Sequence, residues 1–245
     1  MKTARAIFRH LLLLTGICVL CPLPTFPQAA SSSATTAPAE DMTKPYQINW
    51  VIQVDSNSVN QLIQLVNSQV RLGRKNFIIL ISSQGGEVLS GLAAYNYLHG
   101  LNVNITTFNM GQVDSAANLI FCAGNHRYAL PDSRFLLHSS FNLMAPGAVL
   151  NAEILDGQYQ QVQSMNKLMS DVLNTATNNK HVEEIEAAIR GQKILTPSEA
   201  KEWGIIDEER KNFITPGAVI ATIQSDPNMP VVGPAATAPL ASITK

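Results

Sequence analysis

Residues 77 to 88, Phe77-Ile78-Ile79-Leu80-Ile81-Ser82-Ser83-Gln84-Gly85-Gly86-Glu87-Val88, decide the fold class. The run from Phe77 to Ser82 is apolar on both faces, the pattern of a strand covered by helices on each side, so it belongs inside a parallel sheet. Gly85-Gly86 ends the strand, and a helix is expected from about Val88 to Leu98. Upstream, residues 48 to 54 (INWVIQV) read as another strand. Between the two strands Val59, Leu62, Ile63, Leu65 and Val66 recur at helical spacing. Downstream come a strand at Val103 to Phe108, Gly111, and a helix from Ser115 to Ala123. This alternation makes the class α/β.

Residues 127 to 138 (RYALPDSRFLLH) read as two short strands around Pro131-Asp132. From about Val149 to Thr177 a long helix is expected, because Ile154, Leu155, Val162, Met165, Leu168, Met169, Val172 and Leu173 recur every three or four positions. A helix of that length projecting from an α/β core must cover its stripe. A homo-oligomer built through residues 149–177 is the expected outcome.

Composition narrows the partners. The chain has 245 residues, 17 Lys+Arg against 18 Asp+Glu, and 6% aromatics, which gives neither a basic stripe nor stacking platforms for nucleic acid. Residues 1–30 combine Lys2, Arg5 and Arg9 with an uncharged run, LLLLTGICVLC at 11–21, and end in Gln28-Ala29-Ala30. That is the layout of a secretory signal peptide, and the apolar run is too short to span a bilayer. The expected address is export to the periplasm; a cytoplasmic address follows if the segment is not a working signal. Residues 31–45 and 214–245, rich in Ser, Thr, Ala and Pro, read as a flexible linker and a disordered tail, leaving one folded domain over 46–213. Cys18 and Cys21 lie in the leader, so Cys122 stands alone in the domain and reads as a small core residue.

Three features carry chemistry. Gly85-Gly86, between a buried strand and a helix, is a candidate oxyanion cradle, since its amides meet a ligand with no side chain in the way. Ser115 opens a helix, where developing negative charge is favoured, although Asp114 beside it is an equally good N-cap. His138 closes a strand and could take a proton from Ser115. Each also has a plain structural reading: a turn, a helix start, a hydrogen-bonded strand end. No Cys or His pairing has ligand spacing, so neither metal nor cofactor is expected.

Four segments in order, Ile81 to Val88 (ISSQGGEV), Met110 to Ser115 (MGQVDS), Ala129 to His138 (ALPDSRFLLH) and Leu195 to Asp207 (LTPSEAKEWGIID), resemble the proteolytic subunit of the Clp protease. The likeness covers about residues 48–210 and makes the chain similar to a divergent, exported member of the ClpP/crotonase-like superfamily. It implies an α/β β-β-α superhelix with a long projecting handle helix that interlocks two heptameric rings. It further implies that Ser115 is the nucleophile and His138 the general base. Gly85, Gly86 and the amide of Ala116 would form the oxyanion hole. The implied substrate is a peptide or an unfolded chain, threaded in by a separate ATPase.

The departures are informative. Gln192 stands where the family has its catalytic Asp, Gln84 replaces a Pro before the glycines, and Asp114 replaces a small residue beside the nucleophile. A neutral amide can accept from an imidazole N–H but cannot stabilise imidazolium, and loss of the carboxylate costs a serine protease about 10⁴ in turnover. Export would also separate the chain from an ATP-driven partner, which makes a Clp-type ATPase doubtful. Two other readings follow: an oligomeric scaffold or binding protein whose site has decayed, and a serine-lysine enzyme using Lys167 on the long helix.

Overall fold

The strand-turn-helix reading around Gly85 holds in the computed structural model, which describes residues 41–213 and 215–225. The leader read at 1–30, residues 31–40 of the linker and residues 226–245 of the tail lie outside the described residues. Strand β1 (Tyr46–Trp50), helix α1 (Ser56–Arg71) and strand β2 (Asn76–Ser83) form the first β-α-β unit. The first strand ends earlier than expected because Trp50 Nε1 donates to the Ile52 carbonyl at 3.0 Å, turning the chain. Asp55 then caps α1, accepting from the Ser58 amide at 2.7 Å while Ser58 Oγ accepts from the Asp55 amide at 2.9 Å.

Helix α2 (Val88–His99), strand β3 (Asn104–Asp114) and helix α3 (Ala117–Cys122) continue the alternation. Strands β4 (His126–Ala129) and β5 (Arg134–Leu137) follow, then the long α4 (Ala152–Ala176). Helix α5 (Val182–Gly191), strand β6 (Lys193–Leu195), helix α6 (Pro197–Glu202) and strands β7 (Glu208–Glu209) and β8 (Val219–Thr222) complete the fold. The sheet order is β6-β5-β3-β2-β1-β8, with β4 beside β3 and β7 beside β4. All pairings are parallel except β5 with β6.

β2 lies in the middle: Phe77, Ile79 and Ile81 are buried in the core shared with α1, α2 and α3, while on the other face Leu80 is buried and Ile78 only half-buried, so that face is covered less fully than expected. β3 runs six residues past its expected end because Gln112, Val113 and Asp114 pair with Arg134, Phe135 and Leu136 of β5. This extension lacks an apolar pattern and is held by its neighbour.

The ends of the domain differ from expectation. Residues 219–222, read as part of a disordered tail, form β8 alongside β1, with Ile48 opposite Ala221. Residues 41–45, read as linker, are fastened by Arg74. This arginine is fully buried, donates to the carbonyls of Asp41 and Lys44, and lies over the Tyr46 ring at 5.5 Å. A buried guanidinium needs such acceptors, and here the chain leading into β1 supplies them.

The long helix splits into two halves. Met169, Val172 and Leu173 near its C-terminus pack on the domain's own core, whereas Ile154, Leu155 and Tyr159 near its N-terminus are exposed. Cys122 is 4% exposed at the end of α3, and burial pushes its thiol up to about 11. Alkylation at pH 8 is therefore expected to spare Cys122 in the folded protein and modify it in guanidinium, as read by peptide mass spectrometry. Rapid native alkylation would mean that α3 opens readily.

Candidate functional site

β2 and β3 run side by side, with Leu80 opposite Phe108 and Ile81 opposite Asn109, so the turns at their C-terminal ends emerge together. Gly85 and Gly86 have φ of 86° and 150°, values that side chains disfavour. A Cβ on Gly85 would lie 2.5 Å from the Asp114 carbonyl oxygen, 2.7 Å from Ser115 Cβ and 3.0 Å from the Ala116 nitrogen. Only a missing side chain lets the two turns touch. Val54 pins the glycine turn from behind: its amide donates to the Gly85 carbonyl and its carbonyl accepts from the Glu87 amide, both at 2.8 Å. These bonds bypass the Gly86 amide, which has no acceptor among the described residues, and the Ala116 amide has none either. The two turns that meet at Ser115 thus each carry an N–H donor without an acceptor among the described residues, and paired free donors are what an oxyanion needs.

Ser115 does not begin a helix in the expected way. Its φ is +54°, a left-handed value that a serine adopts only under constraint, and α3 starts two residues later. The constraint is visible. The Ser115 amide donates to the Leu136 carbonyl at 2.8 Å, and its carbonyl accepts from the Asn118 amide at 3.0 Å. Asn118 Nδ2 lies within 3.0 Å of the Ser115 carbonyl, 3.1 Å of the Leu136 carbonyl and 3.2 Å of the Val113 carbonyl. This buried asparagine ties the end of β3, the turn and β5 together. Sequence reasoning missed it, since an Asn in a short apolar helix gives no signal beyond being out of place.

The reading of Asp114 as an N-cap is corrected. Ala116 occupies the cap position without a side-chain bond, and Asp114 ends β3 with its carboxylate 2.7 Å from Arg134 Nη2 across the ladder. Asp114 is 4% exposed; burial raises its carboxyl pKa and Arg134 opposes the rise. The ion pair compensates the charge that would otherwise work against an oxyanion at Ser115.

His138 follows β5, and its Nδ1 lies 2.7 Å from the Ser139 carbonyl oxygen. A carbonyl only accepts, so Nδ1 carries the proton and Nε2 of the neutral ring is free to act as a base. Ser115 and His138 make no hydrogen bond to each other, but both line one cleft of about 840 Å³. Gly85, Gly86 and Gln84 line it with them, and its walls alternate amides (Gln53, Asn142, Gln158, Gln161) with Val88, Leu89, Phe141, Leu143 and Met165. Ser115 and His138 also border a void of about 10 Å³ together with Asn118, Met169 and Ile189.

Gln192 is not brought to this group. It is the C-cap of α5 at φ +55°, its backbone amide donates to the Ala188 carbonyl, and its side chain is exposed and bonds to nothing among the described residues. The Ser139 carbonyl occupies the bonding position at His138 that was expected for it. Lys167 is exposed and ion-paired to Asp171 at 2.7 Å, away from the cleft lining, which removes the serine-lysine reading. Among the described residues no cluster of three or more His, Cys, Asp or Glu side chains could hold a metal ion.

A hydroxyl on a strained turn, an imidazole lining the same cleft and amides without acceptors are groups that acyl transfer can use. The chain belongs to the Clp protease family, whose sequence profile matches residues 31–211. It is 32% identical over 190 residues to the ATP-dependent Clp protease proteolytic subunit 2 of Corynebacterium jeikeium, covering 76% of this chain and 89% of that one. With the proteolytic subunit 1 of Rhodococcus jostii the identity is 35% over 164 residues, covering 64% and 71%. A solved structure of a ClpP1 mutant from Listeria monocytogenes matches with a TM-score of 0.60 at 19% identity, over 68% of this chain and 91% of that one. The expected α/β fold of ClpP type is therefore shown.

Proposed function

We propose that the chain is a serine endopeptidase acting on peptides or unfolded chains. Ser115 Oγ attacks the scissile carbonyl as His138 Nε2 takes its proton, and the Gly86 and Ala116 amides hold the oxyanion. His138 then returns the proton to the leaving amine, and water releases the acyl group from Ser115 by the same route. The supporting observation is the contact of the Gly85 turn with Ser115, with both flanking amides left without an acceptor. A fluorophosphonate probe tests the reading: an adduct mapped to Ser115 supports it, and an adduct elsewhere or none overturns it. Absence of labelling with intact fold would favour the decayed scaffold, for which the missing Ser115–His138 bond speaks.

The orienting partner of His138 in this reading is the Ser139 carbonyl, which fixes the tautomer but leaves imidazolium without a carboxylate against Nδ1. Gln192→Ala is accordingly expected to hold kcat within about threefold of the parent, because the exposed side chain bonds to nothing among the described residues. A hundredfold drop would return Gln192 to the site.

We further propose that another copy of this chain covers Phe141, Leu143, Val149, Leu150, Ile154, Leu155 and Tyr159, exposed apolar side chains that fall within one stretch of nineteen residues around the start of α4. The leader-like composition of residues 1–30 supports export. In that compartment the enzyme would work without the ATP dependence that the names of its relatives state.

A further inference from the structure

The carbonyl that receives the His138 proton is itself held from the long helix. Asn166 on α4 is 9% exposed, and its two amide atoms grip the two residues after His138. Asn166 Oδ1 accepts from the Ser140 amide at 2.8 Å and lies 3.0 Å from Ser140 Oγ, while Nδ2 donates to Ser139 Oγ at 2.7 Å. The Ser140 N–H and the Ser139 C=O belong to one planar peptide unit and point in opposite directions across it. Fixing the N–H on Asn166 therefore aims the carbonyl to the other side, where His138 Nδ1 lies at 2.7 Å.

We propose that Asn166 is the positioning residue for His138: by holding the 139–140 peptide plane it directs the Ser139 carbonyl onto Nδ1, so that Nε2 stays free for Ser115. This inference rests on the peptidase reading for its kinetic consequences, but not for its structural one. An alanine at 166 frees the plane to rotate, the Nδ1 proton loses its acceptor, and the imidazole samples both tautomers and other rotamers. A purely structural role would alter stability without favouring one tautomer.

The test compares the full-length protein with Asn166→Ala and Asn166→Asp, using a fluorogenic peptide and the ¹⁵N ring shifts of His138, assigned by their loss in His138→Ala. Asn166→Ala is expected to lower kcat about 10- to 100-fold with KM within about twofold, and to move the ring shifts from the Nδ1–H tautomer to a mixture. Asn166→Asp still accepts from the Ser140 amide, and the Ser139 hydroxyl can turn to donate to it. It should keep the tautomer, while the added negative charge favours imidazolium and moves the acid limb of kcat/KM to higher pH. Should the alanine variant not fold, the aspartate variant alone decides by its tautomer and its pH profile. Unchanged kcat and ring shifts in Asn166→Ala, or an unmoved acid limb in Asn166→Asp, overturn the proposal. If the parent neither cleaves peptides nor takes the fluorophosphonate, the peptidase reading falls. The ring shifts of the two variants then decide the role of Asn166 by themselves.

Discussion

Ser115→Ala and Ser115→Gly are both expected to cut peptide turnover by about 10⁴-fold or more, and the glycine variant should be the more stable of the two. The first half follows from removing the nucleophile. The second follows from the φ of +54° at this position, which costs a residue with a Cβ about 1–2 kcal/mol and costs glycine almost nothing. Glycine's larger unfolded-state entropy returns part of that gain, so a net difference of about 1 kcal/mol between the variants is expected. For a domain of this size that is roughly 2–4 °C in thermal unfolding. Turnover that survives in either variant would remove Ser115 from the chemistry. A glycine variant less stable than the alanine variant would show that the turn is not strained.

Gly85→Ala is expected to be nearly as damaging, for a different reason. Its Cβ would sit 2.5 Å from the Asp114 carbonyl oxygen and 2.7 Å from Ser115 Cβ, and neither neighbour can swing away as the tip of a long side chain could. The glycine turn must retreat from Ser115 and take the Gly86 amide with it. Loss of one oxyanion donor costs about 10²–10³ in kcat, and overpacking costs about 1–3 kcal/mol of stability. Gly73→Ala is the matched control, since Gly73 also has positive φ, at 94°, but nothing within 4 Å of the added carbon. It should lose some stability and no turnover. Equal kinetics for parent and Gly85→Ala would disprove the cradle.

The chain shows how far sequence reasoning reaches here. The β2-turn-α2 unit and the following strand were legible because Phe77 to Ile81 and the Gly85-Gly86 break are local signals whose meaning does not depend on distant residues. So was the place of His138 at a strand end, whereas Ser115, read as the start of a helix, proved to follow the extended β3 directly. β8 was not legible, because four residues, Val219 to Thr222, amid Pro- and Ala-containing sequence become a strand only by pairing with β1. Nor was the shortened α3, since nothing in a serine announces a left-handed turn imposed by Asn118 and Leu136. The partner of His138 was misplaced onto Gln192 for a related reason. Reading by position considers side chains, and the acceptor here is a backbone carbonyl held by Asn166, 28 residues along the chain from the imidazole.

β3 takes two neighbours in succession on one edge, β4 along Thr106 to Asn109 and β5 along Gln112 to Asp114, with Met110 and Gly111 paired to neither. Asn109 bridges this seam, donating to the Arg134 carbonyl at 2.8 Å and accepting from the Gly111 amide at 3.0 Å. Ser115 hangs from β5 through the Leu136 carbonyl, and His138 is the residue after β5, so that strand holds hydroxyl and imidazole in register. The glycine turn follows β2, whose Ser83 pairs with Val113 of the same β3 extension. One short ladder, Gln112 to Asp114 of β3 between β2 and β5, thus carries all three parts of the proposed machinery, and loosening it would disturb hydroxyl, imidazole and glycine turn together.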